Sequence, residues 1–565
     1  MRAALGANER PPYLEKLLNK APLFSLLTFI GALYWAWNIF NPEFCEHTRI
    51  SEHALMGGIV NEKFNKEGIY TEILKGLPAR KNERNEYLLE RLEHYRIDGY
   101  EQRWRTNAAI YNTSGVNVWG VFRAKRAAST ESLLLAADAK DNHAISLVVA
   151  FAAYAQEQVY WARDIFILMA DGGPLGVEAF LSAFHHTQRG GLVFDRLPTR
   201  GDGLTAMLAV KQSSKEIELQ INQLNGELPN LDYVNTVIRV GATSKFRMPS
   251  LIYGIRDRHE GGNNPWWLIP ARALYTQAFV SVEGLHSLST KYGVQGLTIG
   301  LPLNSGSPKT AAKFVEAIMR SLNNLLESFH QSYFLYVLAD EDNFVSILYF
   351  MPILGGVVAP LAIFAYREWV FAVQKLVIPS ALLLAHGAGV AVWYCSTKVF
   401  REHAVTDDTP WLGLLAAILF PIAALFPIAE KSKSSLRFLL LLESALIFGL
   451  IGLLNFPLAL LTAILTVPII IVLSRDLSVQ PRARQILQAT CVLLAHPLII
   501  YLLVNIYVLP LIGFGSVDGA NLKLQDMVDP IRHMLANHLL FGCNLYPIFL
   551  ILALPIWGLL LRLSL

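Results

Sequence analysis

The 565-residue chain is poor in charge. Lys, Arg, Asp and Glu make up 16% of it, against about 25% in an average soluble domain. Net charge is small too: 48 basic and 45 acidic residues leave +3, which gives no electrostatic footprint for nucleic acid. Cysteine is scarce, with four in all, and that excludes a disulfide-built scaffold. Cys45 stands alone in the polar part of the chain, so that part holds no internal disulfide. Cys395, Cys491 and Cys543 fall in apolar stretches, where they read as small packing residues. What the chain has in quantity is apolar surface. At 53% hydrophobic residues it is neither disordered nor an ordinary cytosolic enzyme, and a membrane protein is expected.

The apolar residues are segregated. Ala21–Phe40 is a charge-free stretch of the length that crosses a ~30 Å hydrocarbon core as a helix. Its apolar part is too long for a signal-peptide core of ~7–15 residues, and no small-x-small cleavage site follows, so a retained anchor is expected. Residues 1–20 precede it. From Asn41 to Asn343 charges are frequent and apolar runs are short, as in one large globular domain. Residues 344–565 are apolar almost throughout. Seven further spans are expected there: Phe344–Tyr366, Leu376–Thr397, Pro410–Ile428, Phe438–Leu454, Leu458–Leu473, Ile486–Ile512 and Leu535–Leu561. Only Asn455, Phe456 and Pro457 separate the fourth and fifth of these seven, so a tight hairpin is expected.

Lys and Arg in short loops set orientation. Arg2, Arg10, Lys16 and Lys20 precede the first span; Arg367 and Lys375, then Lys431, Lys433 and Arg437, then Arg475, Arg482 and Arg484 occupy alternate loops, and Arg562 follows the last span. The intervening loops carry no such excess. Eight crossings put both termini in the cytosol and the 300-residue domain on the other side. Asn112-Thr113-Ser114, an N-glycosylation sequon, falls on that side.

The large domain reads as α/β. Val116–Arg123, Glu131–Ala137, Asp164–Ala170 and Gly296–Leu301 are strand-like, and Ala144–Tyr160 and Gly176–His185 have helical length and spacing. This order predicts a mostly parallel sheet with helices on both faces. Ligands in such sheets sit beyond the carboxyl ends of the strands. Asp138, Asp141 and Asp171 fall at two such ends, and His286 is a candidate third ligand from further along, an N/O set suited to one zinc or another divalent metal. Helix caps, turns and a surface or hydrogen-bonded histidine are the commoner explanation of the same residues. Pro265–Phe279 has clustered Trp and apolar residues and reads either as a membrane-surface helix or as a segment buried against the sheet.

Several stretches resemble one family. Arg126–Leu133 (RAASTESL), Tyr160–Asp164 (YWARD), Leu224–Asp232 (LNGELPNLD), Leu325–Tyr336 (LLESFHQSYFLY) and, more weakly, Ser51-Glu52 look like segments of the GPI-anchor attachment proteins, the large multi-span subunits of the glycosylphosphatidylinositol (GPI) transamidase complex. The resemblance implies a subunit of a multi-protein enzyme of the endoplasmic reticulum membrane, with the large domain luminal. That enzyme removes a C-terminal signal from a precursor protein and joins the new carboxyl terminus to a GPI lipid. The cysteine nucleophile sits on another, caspase-like subunit, so this chain is expected to be non-catalytic, presenting the lipid and positioning the precursor. The family's luminal domain is similar to zinc aminopeptidases of the M28 type. Mapped onto their pattern, the first His position falls on Ala136, the bridging Asp on Asp141, the paired Glu positions on Ala170 and Asp171, and the late His on His286. Asp141, Asp171 and His286 remain as a degenerate metal set. Alanine supplies neither ligand nor general base, and loss of the base alone costs roughly 10²–10⁴-fold, so no independent peptidase activity is expected. A metal-assisted synthetase or a membrane-bound metallopeptidase is the alternative. Polar residues inside spans are costly and often functional, which singles out His386, Glu443, His496 and Asn505, with interhelix hydrogen bonding in a bundle or with partner subunits the commoner reading. The family's last span is implicated in GPI recognition, which points to Asn544 and Pro547 as lipid-contacting residues.

Overall fold

The computed structural model describes residues 12–564 except 42, 52–54, 56–60, 109–110, 126–130, 188–190, 214–215, 244, 247–249, 257–263, 281, 283, 305, 326–328, 330–334, 372–375, 404–408, 420–429, 475–480 and 514–523. Two compact units emerge. One comprises Phe40–Ser346 with Leu539–Cys543, the other Met1–Ile39, Ile347–His538 and Asn544–Leu565.

The first unit is an α/β domain. Its strands are β1 (Glu46–His47), β2 (Asp98–Thr106), β3 (Ser114–Phe122), β4 (Glu131–Asp138), β5 (Asp164–Ala170), β6 (Leu192–Phe194), β7 (Gly203–Gln212), β8 (Ile217–Gln220), β9 (Ser250–Ile252), β10 (Ile255–Arg256), β11 (Gln295–Leu301), β12 (Tyr336–Leu338) and β13 (Asn343–Ser346). Ten of them form one sheet in the order β10-β9-β8-β11-β7-β4-β5-β3-β2-β6. The four central strands β11, β7, β4 and β5 run parallel. Antiparallel pairs flank them, β8 on β11 at one side and β3 on β5 at the other. The sheet is therefore mixed rather than mostly parallel. Of the flanking strands, β3 is legible in sequence as Val116–Arg123, whereas β2 (DGYEQRWRT) is half-exposed and polar and alternates buried and exposed side chains only in its last five residues. A strand buried on one face has no continuous apolar run to announce it.

The central strands show the opposite pattern. Ile165, Ile167 and Met169 of β5 face the core formed with helices Asn142–Glu157, Leu231–Ala242 and Pro308–Asn323. Phe166, Leu168 and Ala170 face a second core with helix Pro174–Phe184. Burial on both faces favours apolar residues throughout, which is why IFILMA reads without interruption after Asp164. Helix Leu268–Phe279 is buried along most of its length, with Ile269 in the main core, so Pro265–Phe279 follows the burial reading. A small sheet, β1-β13-β12, pairs Glu46 with Phe344 and sets the chain's entry into the domain beside its exit.

The second unit is helical. Among the described residues five helices are long and apolar enough to cross a membrane: Ala21–Ile39, Ile347–Phe371, Ser432–Leu454, Phe456–Leu473 and Leu545–Ser564. A sixth crossing arises if Ile486–Leu494 and Pro497–Leu511, bent by 75° at the break, count as one. Against the expected eight, five or six are thus long and apolar enough among the described residues, and the remaining stretches differ for local reasons. Ser380–Glu402 has the length but not the apolar composition, interrupted as it is by His386, Gly387 and Gly389. Thr409–Leu419 is short, and the rest of Pro410–Ile428 lies outside the described residues. The stretch Leu535–Leu561 is divided: one helix ends at Phe541, Gly542 adopts φ 81°, and the next begins at Leu545. Asn455 caps the hairpin between the fourth and fifth of the predicted C-terminal spans by accepting from Leu458 N at 3.0 Å. Lys375, Arg475 and the N-terminal Arg2 and Arg10, which set the expected orientation, lie outside the described residues.

Candidate functional site

The strand order creates a switch point at β4. From β4 the chain moves to β5 on one side and later to β7 on the other. Crossovers that diverge in this way leave a crevice beyond the carboxyl ends of the strands. Asp138 closes β4, Asp171 follows β5, and Gln212 closes β7. Ala136 and Ala170 are fully buried in the strands, and Asp138 pairs in register with Ala170.

Each carboxylate at this crevice is already engaged. Asp141 caps helix Asn142–Glu157: one oxygen accepts from Ala144 N at 3.0 Å and the other from Gln212 N at 2.6 Å. It thereby ties the end of β4 to the end of β7. Asp171 accepts from Val116 N at 2.7 Å and pairs with Lys81 Nζ at 2.5 Å. Asp138 accepts from Lys140 N at 2.8 Å. After Asp171, Gly172 and Gly173 both take left-handed angles (φ 75° and 62°), and a Cβ on Gly172 would lie 2.6 Å from the Trp104 ring. Only glycine fits such a turn without strain.

His286 lies on the short turn Leu285–Leu288 and is fully buried. Its Nδ1 is 2.7 Å from Thr298 Oγ1 of β11. Burial pushes the imidazole down to about 3, and the charge of Lys211 adds to the effect. Among the described residues no three His, Cys, Asp or Glu side chains come together as a metal site. The donors proposed from spacing therefore do not fit a bound zinc as they stand. Asp141 is spent on backbone amides, an ammonium occupies Asp171, and His286 bonds to a threonine hydroxyl.

Spacing missed what borders the crevice. Lys81 sits in helix Lys81–His94, and Arg84 of the same helix donates to Ala139 O at 2.6 Å. Tyr70 OH lies 2.8 Å from His143 Nδ1, and burial, reinforced by Asp141, pushes that hydroxyl up to about 12. In sequence, KNERNEYLLERLEH looks only like a solvated helix face.

The segments that carried the family resemblance prove to be clamps. Ser51 Oγ donates to Asp232 at 2.5 Å, Asn230 caps the following helix, and Tyr336 OH donates to Pro229 O at 3.0 Å. Two of the resembling stretches and Ser51 thus meet around LNGELPNLD. In YWARD, Arg163 pairs with Glu131 at 2.5 Å and donates to Leu325 O at 2.6 Å. Asp164 pairs with Arg123 at 2.7 Å. Residues 126–130 of RAASTESL lie outside the described set. In the last apolar helix, Asn544 is exposed at the start and Pro547 is half-buried where α-helix gives way to a π turn, Ile548–Ala553.

An α/β domain of this topology joined to a set of long apolar helices defines a multi-pass membrane protein with a crevice at its strand ends but no assembled metal centre among the described residues. The family model described as Gaa1-like, GPI transamidase component, matches residues 114–561, across both units, and the chain belongs to that family. It is thus a GPI transamidase component, a membrane protein that works in a complex. A relative from Schizosaccharomyces pombe, GPI transamidase component gaa1, is 27% identical over 81% of this chain and 82% of its own length. GPI transamidase component GAA1 of Saccharomyces cerevisiae is 29% identical over 54% of this chain and half of its own. Among solved structures, a putative zinc-dependent exopeptidase from Bacteroides vulgatus shares 14% identity over 46% of this chain and 98% of its own, with a TM-score of 0.28. A glutaminyl cyclase from an Acidobacteriales bacterium shares 10% over 47% and 96%, with a TM-score of 0.32. The fold is defined by the sheet order above and not by these superpositions.

Proposed function

We propose that the chain is a non-catalytic subunit of GPI transamidase that presents the GPI lipid and positions the precursor protein. In this reading it resides in the endoplasmic reticulum membrane with the α/β domain in the lumen and both termini in the cytosol. Its partners include a caspase-like subunit carrying the cysteine nucleophile. The observation that carries the reading is the family match, which extends through the domain and the apolar helices alike. Alanine at 136 and 170, with Asp141 and Asp171 turned to structural bonds, supports a domain that binds rather than cleaves. Several apolar helices exceed what tethering needs, and Asn544 and Pro547 at the head of the last one are the proposed lipid contacts.

The test is purification of tagged full-length chain from detergent-solubilised membranes. The expected result is recovery of the caspase-like subunit in constant ratio. Isolation of the chain alone under conditions that keep other membrane complexes intact would overturn the reading.

Orientation has its own check. Asn112 is exposed in the loop between β2 and β3, accessible to a glycosyltransferase. A luminal domain is expected to carry one glycan there, seen as a single mobility step on glycosidase treatment and abolished by Asn112→Gln. A wild-type chain that does not shift removes the glycan.

A further inference from the structure

Pro555 lies within the last apolar helix. Having no N–H, it cannot serve the carbonyl of Ile551 four residues back, nor that of Leu550 in the five-residue register of the preceding π turn, in which Leu554 N bonds to Phe549 O. In an apolar surround an unpaired carbonyl is costly, and it persists only where a neighbour supplies a donor. The neighbour here is helix Ser380–Glu402. His386 Nδ1 lies 2.8 Å from Ile551 O. A carbonyl only accepts, so Nδ1 carries the proton. One turn on, Gly389 faces Leu550 O so closely that a Cβ would sit 2.4 Å from it and 3.1 Å from Pro555 Cγ. His386 and Gly389, three apart, share one helix face. The glycine permits the approach that the histidine uses. On its other side the imidazole meets a third helix: Nε2 is 2.8 Å from Glu443 Oε1. That contact sets Glu443 against the ring, although Nε2 completes no hydrogen bond there.

We propose that His386 is a positioning residue: it replaces the N–H that Pro555 lacks and holds the π turn of the last helix open, with Glu443 packed against the far edge of its ring. The sequence offers interhelix hydrogen bonding as a reading of His386 and Glu443 but pairs neither with Pro555. The consequence for function rests on the reading that the last helix serves the lipid, because the π turn begins directly after Pro547.

The test uses full-length chain expressed in cells that lack their own copy. Surface display of a GPI-anchored reporter is scored per unit of chain recovered in the complex. His386→Ala is expected to lower display roughly tenfold, the scale of a buried carbonyl left without a donor. His386→Asn, whose amide nitrogen stands near the place of Nδ1, is expected to recover most of it. The decisive variant is Pro555→Ala, which restores the missing N–H. Combined with His386→Ala it is expected to return display to within about twofold of Pro555→Ala alone. A double variant no better than His386→Ala overturns the proposal, as does a His386→Asn chain as defective as His386→Ala. General loss of packing would not be repaired by a second substitution that removes further atoms. Asn544→Ala and Pro547→Ala report on the lipid reading separately. If they leave display unchanged, that reading fails, while suppression by Pro555→Ala still decides the role of His386.

Discussion

Replacing Glu316 with Ala is expected to destabilise the α/β domain by about 3–5 kcal/mol, a large part of the ~5–15 kcal/mol that holds a domain together. Glu316 is completely buried on helix Pro308–Asn323. Its carboxylate accepts from Tyr154 OH at 2.8 Å, Tyr160 OH at 3.3 Å, Lys63 N at 3.0 Å and Phe64 N at 3.0 Å. Burial pushes both tyrosine hydroxyls up, Tyr160 to about 12, so both remain donors at any working pH. Alanine leaves two hydroxyls and two amides facing a hole, and each stranded buried group costs about 1–3 kcal/mol. Glu316→Gln keeps one acceptor oxygen but turns an amide donor toward other donors, so an intermediate loss is expected. Arg320 is the control. It reaches Glu316 at 3.4 Å and stacks on Tyr160, with its centroid distance 4.3 Å, yet the amides and hydroxyls alone satisfy the carboxylate. Arg320→Ala is expected to cost about 1 kcal/mol or less. Thermal unfolding of purified full-length chain, followed by a probe in the domain, separates the three. Equal melting of wild type and Glu316→Ala would sink the idea that this carboxylate fastens residues 63–64 to the helix.

Glu316 also shows where sequence reading stops. The chain's centre was legible: Glu131–Ala137 and Asp164–Ala170 appear in the structure as β4 and β5 almost residue for residue, and Ala144–Tyr160 as helix Asn142–Glu157. Strands and helices buried on all sides leave no latitude in residue type. A single carboxylate in KFVEAIMRSLN gives no such signal, because its partners Tyr154 and Lys63 lie 162 and 253 residues away. The same holds for Glu178, buried against Lys291 at 2.7 Å and Tyr292 OH at 2.9 Å. The candidate metal residues show a related limit of sequence reading. Asp141 and Asp171 were placed correctly at strand ends, but an aspartate that binds a metal and one that binds backbone amides look alike in sequence. Only Gln212 N and Lys81 Nζ tell them apart. In the apolar half, composition located the helices but not the breaks at Gly542 and before Pro497. Both come from backbone events at a single residue inside an apolar run.

His286 supplies the second large effect, and its sign follows from burial. In the unfolded chain an imidazole takes up a proton below about 6.5. In the folded domain the charged form is refused until pH falls to about 3, chiefly because the ring is buried and secondarily because Lys211 is near; backbone contacts from Asn222 and Ile221 oppose this only in part. Between those values the unfolded state holds more protons, so stability rises with pH and the contribution is complete above about 6.5. Falling pH removes about 1.4 kcal/mol per unit below that point. The loss is about 2 kcal/mol at pH 5 and approaches 5 kcal/mol by pH 3. Other groups titrate in the same range, so the diagnostic quantity is a difference between variants. Lys211 is paired with Glu218 at 2.8 Å, and both stay in place in His286→Gln, which cannot take up a proton. That variant is expected to lose some stability at pH 7.5 through poorer contact with Thr298. Its melting temperature is nevertheless expected to fall less steeply than wild type between pH 7 and pH 5. Parallel slopes for the two chains would mean that His286 is not kept neutral by burial. It would then again be open to a proton or a metal, as the sequence alone had suggested.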